Sequence, residues 1–152
     1  MLYDFDICQK NRQLLYNLME RLTPEQLNKV PEGYNNNILW NIAHSIATQQ
    51  LLVYGLSGEE VKVPTHIIDN YRKGTKPNKP ATTEEIEEIK SLLFTTINQL
   101  EKDYSDGIFT SFKTYVLSTS GGTLQKVEDA IAFNNYHEGL HLGYAMALAR
   151  AI

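Results

Sequence analysis

Thr82-Thr83-Glu84-Glu85-Ile86-Glu87-Glu88-Ile89-Lys90-Ser91-Leu92-Leu93-Phe94-Thr95-Thr96-Ile97-Asn98-Gln99-Leu100-Glu101-Lys102-Asp103-Tyr104 is the stretch whose reading decides the fold. Ile86, Ile89, Leu93, Ile97, Leu100 and Tyr104 recur every three to four residues, the spacing that puts side chains on one face of an α-helix. Acidic residues crowd the first turn, where they complement the positive end of the helix dipole. A helix of this length with one apolar face needs partners, and the flanking sequence supplies them.

Upstream, the segment from Ser57 to Thr82 holds Gly58, Pro64, Gly74, Pro77 and Pro80 and reads as a long loop, with a short helical turn around Pro64 to Tyr71. Loops of this length inside compact domains are often functional. Before it, a helix is expected after Gly33-Tyr34-Asn35-Asn36 and on to Gly55 or Gly58, with Ile38, Ile42, Ile46, Gln49 and Val53 in one stripe and Trp40 and His44 on a neighbouring one. The chain opens with a helix over about residues 3 to 22, on which Leu14, Leu15, Leu18, Met19 and Leu22 form the apolar side and Lys10, Arg12, Gln13 and Glu20 the other. Thr23-Pro24-Glu25-Gln26 supplies an N-cap, a first-position proline and a capping-box glutamine for a short helix ending before Pro31.

Downstream, Ser105 to Gly122 alternates weakly and is compatible with either a strand or a packed loop. A last helix is expected after Gly121-Gly122-Thr123 and on to the C-terminus, about 40 Å long at 1.5 Å per residue. Four long helices without convincing strands give an all-α four-helix bundle. No composition shift or repeat marks a second domain, so residues 1–152 are expected to form one unit.

Composition narrows the function. With 14 basic and 18 acidic residues and no block of five Lys or Arg, the chain lacks the charge that drives non-specific nucleic-acid binding. No apolar run approaches the 18 or so residues a membrane span requires. A single cysteine, Cys8, rules out an intrachain disulfide, and Met1-Leu2-Tyr3-Asp4-Phe5-Asp6 does not resemble a secretion signal, so a cytoplasmic location is expected.

Two of the four histidines fall in His137-Glu138-Gly139-Leu140-His141, inside the last helix. Residues four apart lie about 40° apart around the axis and one turn apart along it, so both imidazoles can reach one ion. The string matches the zincin motif, but the eleven residues after His141 contain no His, Asp, Glu or Cys to complete such a site. A third ligand must come from upstream. His44 is the best placed, one turn after Trp40 in Asn37-Ile38-Leu39-Trp40-Asn41-Ile42-Ala43-His44. Alone it could be a core histidine with hydrogen-bond partners, but beside the pair coordination is the more economical account. Three imidazoles would leave a position open for water or substrate, as in catalytic zinc sites, and the set suits zinc, nickel, iron or copper.

Other residues have weaker claims. His66, in Pro64-Thr65-His66-Ile67, is a reserve ligand or a surface histidine, and Cys8 is a small buried side chain or a thiolate ligand. Tyr144 lies within about 20° of His137 on the helical wheel and could orient a water, donate a proton, or simply fill the bundle. Asn41 and Asn134, each three residues before a candidate ligand, could fix an imidazole tautomer. Glu138 is a general base at the rim, an acceptor behind a ligand, or a solvated carboxylate. Arg72, Lys73 and Lys76 in Asn70-Tyr71-Arg72-Lys73-Gly74-Thr75-Lys76-Pro77 could bind an anionic substrate group or be solvated.

Trp40-Asn41-Ile42-Ala43-His44, the turn Gly121-Gly122-Thr123, and His137-Glu138-Gly139-Leu140-His141-Leu142-Gly143 together resemble the DinB/YfiT-like metalloenzymes, and the Tyr71 to Pro77 loop is similar to that of a subgroup. The resemblance runs over essentially the whole chain. It implies an up-down-down-up four-helix bundle, often homodimeric, with one divalent metal ion on His44, His137 and His141. Members of that family include thiol-dependent S-transferases and a thiol-dependent maleylpyruvate isomerase, in which the metal is thought to activate a low-molecular-weight thiol; coordination by a divalent ion deprotonates a thiol at neutral pH. One departure is Tyr144, where the family commonly has glutamine, so substrate preference does not transfer.

Three expectations follow: a metal-dependent enzyme acting on a small molecule, with thiol-dependent S-transfer foremost and zinc or nickel as the metal; a metal-dependent hydrolase with Glu138 as base; or a helical interaction module whose histidines are structural. Tyr144 and Glu138 are the candidate catalytic side chains in the first two.

Overall fold

The computed structural model covers residues 1–152 and contains six helices and one two-stranded hairpin. Helix α1 spans Leu2–Glu20, the short α2 Pro24–Asn28, α3 Ile38–Gln50, α4 Thr65–Tyr71, α5 Thr83–Ser105 and α6 Val127–Leu148. The four long helices pack on one another, α3 against α6 and α1 against both α6 and α5.

Local sequence explains most boundaries. Thr23 and Gln26 form the expected capping box at α2. Asn37 caps α3 by accepting from the Trp40 N–H at 2.7 Å, and Thr82 caps α5 by accepting from Glu85 N–H. Ile86, Ile89, Leu93, Ile97 and Leu100 of α5 are all buried, as their spacing requires.

Helix α3 is the central element. Every residue from Ile38 to Gln50 except Thr48 is buried, including Asn41, His44, Ser45, Gln49 and Gln50. It continues into one π-helical turn, Leu51–Gly55, and the helical path runs on through Leu56 and Ser57 to Gly58, at φ 76°, one of the two expected stops. Such turns are rare and cluster at functional sites, and this one turns Leu51 and Leu52 toward a cavity described below.

Two expectations are corrected and one open reading is decided. The buried stripe of α1 is Phe5, Cys8, Arg12, Leu15 and Met19, rotated from the one read in the sequence: Arg12 is fully buried, whereas Leu14 is half exposed. The undecided connector is mostly irregular but contributes β1, Tyr115–Val116, which pairs antiparallel with β2, Thr123–Leu124. That pairing takes Leu124 out of the last helix, which starts at Val127 instead. Gly121, at φ 73°, makes the turn between the strands possible.

Candidate metal centre

His44 from α3 and His137 and His141 from α6 converge, each offering one nitrogen, with all three nitrogens within 4.8 Å of one another. The ring centroids lie 4.5 to 5.2 Å apart. Tetrahedral coordination at about 2.1 Å per bond places nitrogens about 3.4 Å apart, so modest side-chain rotation turns this cluster into a ligand set.

Two of the rings have their tautomers fixed from behind. His44 Nδ1 is 2.6 Å from the main-chain carbonyl of Tyr71. A carbonyl can only accept, so Nδ1 carries the proton and Nε2 presents its lone pair. His141 Nδ1 is 2.8 Å from Asn41 Oδ1. The Asn41 amide is oriented in turn because its Nδ2 donates to Asn37 O at 2.8 Å. His141 Nδ1 therefore donates, and its Nε2 is free. This is the arrangement that orients metal-bound histidines in general.

His137 differs. Its Nδ1 is buried and has no hydrogen-bond partner. A buried polar atom without a partner costs about 1–3 kcal/mol, and this one belongs to a ring of the cluster.

The three rings are neutral at physiological pH. Burial, with the neighbouring imidazoles His141 and His44 adding to it, pushes His137 down to about 3. Burial and then His44 push His141 down to about 4. His44 is also lowered, chiefly by burial and further by the charge of Lys73, against the raising effect of the Tyr71 carbonyl. Neutral imidazoles are the ligand form, so the set is ready for a cation without first losing protons.

Trp40 lies flat against His44, with ring centroids 4.5 Å apart and planes 9° from parallel. Its indole N–H donates to Thr75 Oγ1 at 3.0 Å, which ties the Arg72 to Pro77 loop to the centre. A cavity of about 270 Å³ opens beside His44 and His137, with Thr48 and Lys73 also on its walls.

The remaining candidates are placed elsewhere. Glu138 is not at the rim: it is fully buried and ion-paired to Arg12, with Arg12 Nη2 2.6 Å and Nε 2.9 Å from its Oε1. Asn134 donates to the same oxygen at 2.8 Å, so it serves the carboxylate and not an imidazole. The Cys8 thiol reaches Glu138 Oε2 at 3.5 Å, and burial followed by the adjacent carboxylate pushes it well above the ordinary thiol range. Tyr144 is partly exposed and edge-on to Tyr34, and it shares a separate shallow depression with Asn41 and His141. His66 pairs with Glu88 at 2.7 Å on the surface, away from the cluster.

Two supports were not identified in the sequence: the Tyr71 carbonyl, which any residue could supply, and the Arg12–Glu138 pair. A signal for the second existed, since Arg12 lies four residues after Cys8 and three before Leu15 on the buried stripe.

No curated protein matched the chain in a sequence comparison. A family model described as the DinB superfamily matches residues 8–145, a span that contains all three histidines, the whole of α3 and most of α6, and the chain belongs to that superfamily.

Proposed function

We propose that this protein is a metal-dependent enzyme acting on a small molecule, with one divalent transition-metal ion, zinc or nickel, held by His44, His137 and His141. The observation that carries the proposal is the convergence of three neutral imidazoles, each offering one nitrogen within 4.8 Å of the others, two of the rings being held ready from behind. A bound ion would supply Lewis acidity and stabilise a thiolate or hydroxide at neutral pH. Three protein ligands leave at least one position for that nucleophile.

Thiol-dependent S-transfer is the reaction we favour. Glu138 is committed to Arg12, which removes the carboxylate that a hydrolase of the zincin kind would use as base. Chemistry in which the metal alone generates the nucleophile fits better. The chain's one cysteine is buried beside Glu138, so the reacting thiol is a separate, low-molecular-weight molecule. The cytoplasm, where small thiols are kept reduced, suits this reaction.

The outer face of α6 supports a homodimer. Tyr136, Leu140 and Met146 are exposed there beside Gly139 and Gly143, and the helix carries no charged side chain between Asp129 and Arg150 except the buried Glu138. A second copy covering this face would bury its apolar surface.

Elemental analysis of untagged protein, wild type beside His44→Ala, His137→Ala and His141→Ala, tests the proposal. One metal ion per chain, lost in each variant, is expected. No metal in the wild type after incubation with zinc or nickel would sink it. Metal-loaded protein screened with small thiols and electrophiles then tests the reaction, and light scattering tests the dimer.

A further inference from the structure

The cavity beside the histidines is chemically uneven. Leu52, Leu56, Leu117 and Phe133 form an apolar wall, brought together by the π turn, the hairpin and α6. Opposite chemistry comes from Lys73, Ser118 and Thr119. Lys73 donates to Ser118 Oγ and forms no ion pair within the chain. No acidic residue lines the cavity, so its only formal charge is positive. At about 270 Å³ it lies just below the usual range for drug-sized ligands, so its occupant is small.

We propose that this cavity binds a small amphipathic anion: a carboxylate held by Lys73 with the Ser118 and Thr119 hydroxyls, on a short apolar body that packs against Leu52, Leu56, Leu117 and Phe133. An unpaired ammonium beside two hydroxyls supplies the donors a carboxylate accepts from, while the leucines and Phe133 gain from covering. Neither half alone accounts for the cavity. A purely apolar ligand would leave the lysine unused, and an inorganic anion would leave the apolar wall wet. His44 and His137 also line the cavity, so the inference rests on the metalloenzyme reading for its purpose and names a substrate class for it. The Tyr71 to Pro77 loop thereby acquires a role: it carries the specificity cation to the site, and Thr75 anchors it to Trp40.

The test uses metal-free protein, so failure to find metal would leave it intact. Isotope-labelled protein is titrated by NMR with hexanoate, hexanol and hexylammonium. Hexanoate is expected to bind about tenfold tighter than hexanol, the size of one charge-assisted contact in a partly enclosed site, and hexylammonium weakest. Shift changes should centre on Leu117, Ser118, Phe133 and His137, and affinity should rise from acetate to hexanoate. Lys73 is exposed, so its variants should fold. Lys73→Gln should erase the advantage of hexanoate over hexanol without weakening hexanol, and Lys73→Arg should keep it. Equal binding of hexanoate and hexanol, a preference that survives Lys73→Gln, or shifts centred elsewhere would overturn the inference.

Discussion

Arg12 and Glu138, both fully buried and 126 residues apart in sequence, meet with Nη2 2.6 Å from Oε1. Glu138 lies on α6 between two of the clustered histidines and about 100° around the helix from His137. Holding its carboxylate toward α1 therefore sets the rotation of α6 that turns His137 and His141 toward α3. Arg12 completes the arrangement by donating to Leu93 O and Thr96 Oγ1 of α5, so one guanidinium links three helices.

Removing one partner of such a pair strands the other charge. Glu138→Gln and Arg12→Met are each expected to lower unfolding free energy by about 3–5 kcal/mol, whereas Arg12→Met combined with Glu138→Leu should recover most of the loss. Urea denaturation of the four proteins checks this. Glu138→Gln protein that stays folded should still bind one metal ion, because the carboxylate orients the helix and does not touch the cluster; loss of metal from folded variant would contradict that role.

Asn41 accepts from His141 Nδ1 and is itself held by Asn37 O. Asn41→Leu should weaken metal binding about 10–100-fold by releasing the imbalance between the two ring nitrogens. Competition with a chromophoric chelator measures it, and unchanged affinity would remove Asn41 from the site's support.

Protons should act on the metal-free protein through the histidines. His137 and His141 are held near 3 and 4 in the folded state, below the 6.5 expected when unfolded. Between those values the unfolded chain binds more protons, so stability is full above about pH 6.5 and falls as pH drops toward 4. Each group contributes a slope of about 1.4 kcal/mol per pH unit, which His137→Gln should remove for one of them. Denaturant titrations at pH 7, 6 and 5 give the slope, and an equal slope in wild type and variant would refute the assignment.

Cys8 should resist alkylation. Its thiol is buried, donates toward Glu138, and is pushed upward by burial and by that carboxylate. Iodoacetamide at pH 8 should leave native protein unmodified while labelling it fully in urea; rapid native labelling would show that the thiol is accessible.

The sequence was most legible where one residue type meant one environment. On α5, isoleucine and leucine at helical spacing mark the buried face from Ile86 to Leu100, and the one charged residue buried there, Asp103, comes only in the last turn. On α1 the same reasoning failed at Arg12, since a charged residue on a helix ordinarily faces water and the partner that allows its burial lies at the far end of the chain. Leu14, read as buried, is exposed for the same one-step error in rotation. Spacing alone brought out the three histidines, because i and i+4 on one helix and a third on an apolar helix constrain geometry strongly. The supports of His44 were invisible by contrast: a backbone carbonyl carries no side-chain signature. The two-residue strands of the hairpin were also too short for alternation to register.

The parallel stacking of Trp40 on His44 gives the molecule a built-in optical probe. Trp40 is the chain's single tryptophan, so all indole fluorescence arises at one ring, 4.5 Å from an imidazole of the candidate centre. A paramagnetic ion such as nickel arriving there would quench that emission by short-range electron or energy transfer, whereas zinc, with a filled d shell, would shift it without quenching. Loading, ion identity and release can thus be followed in the native chain, without a label and without knowledge of the reaction.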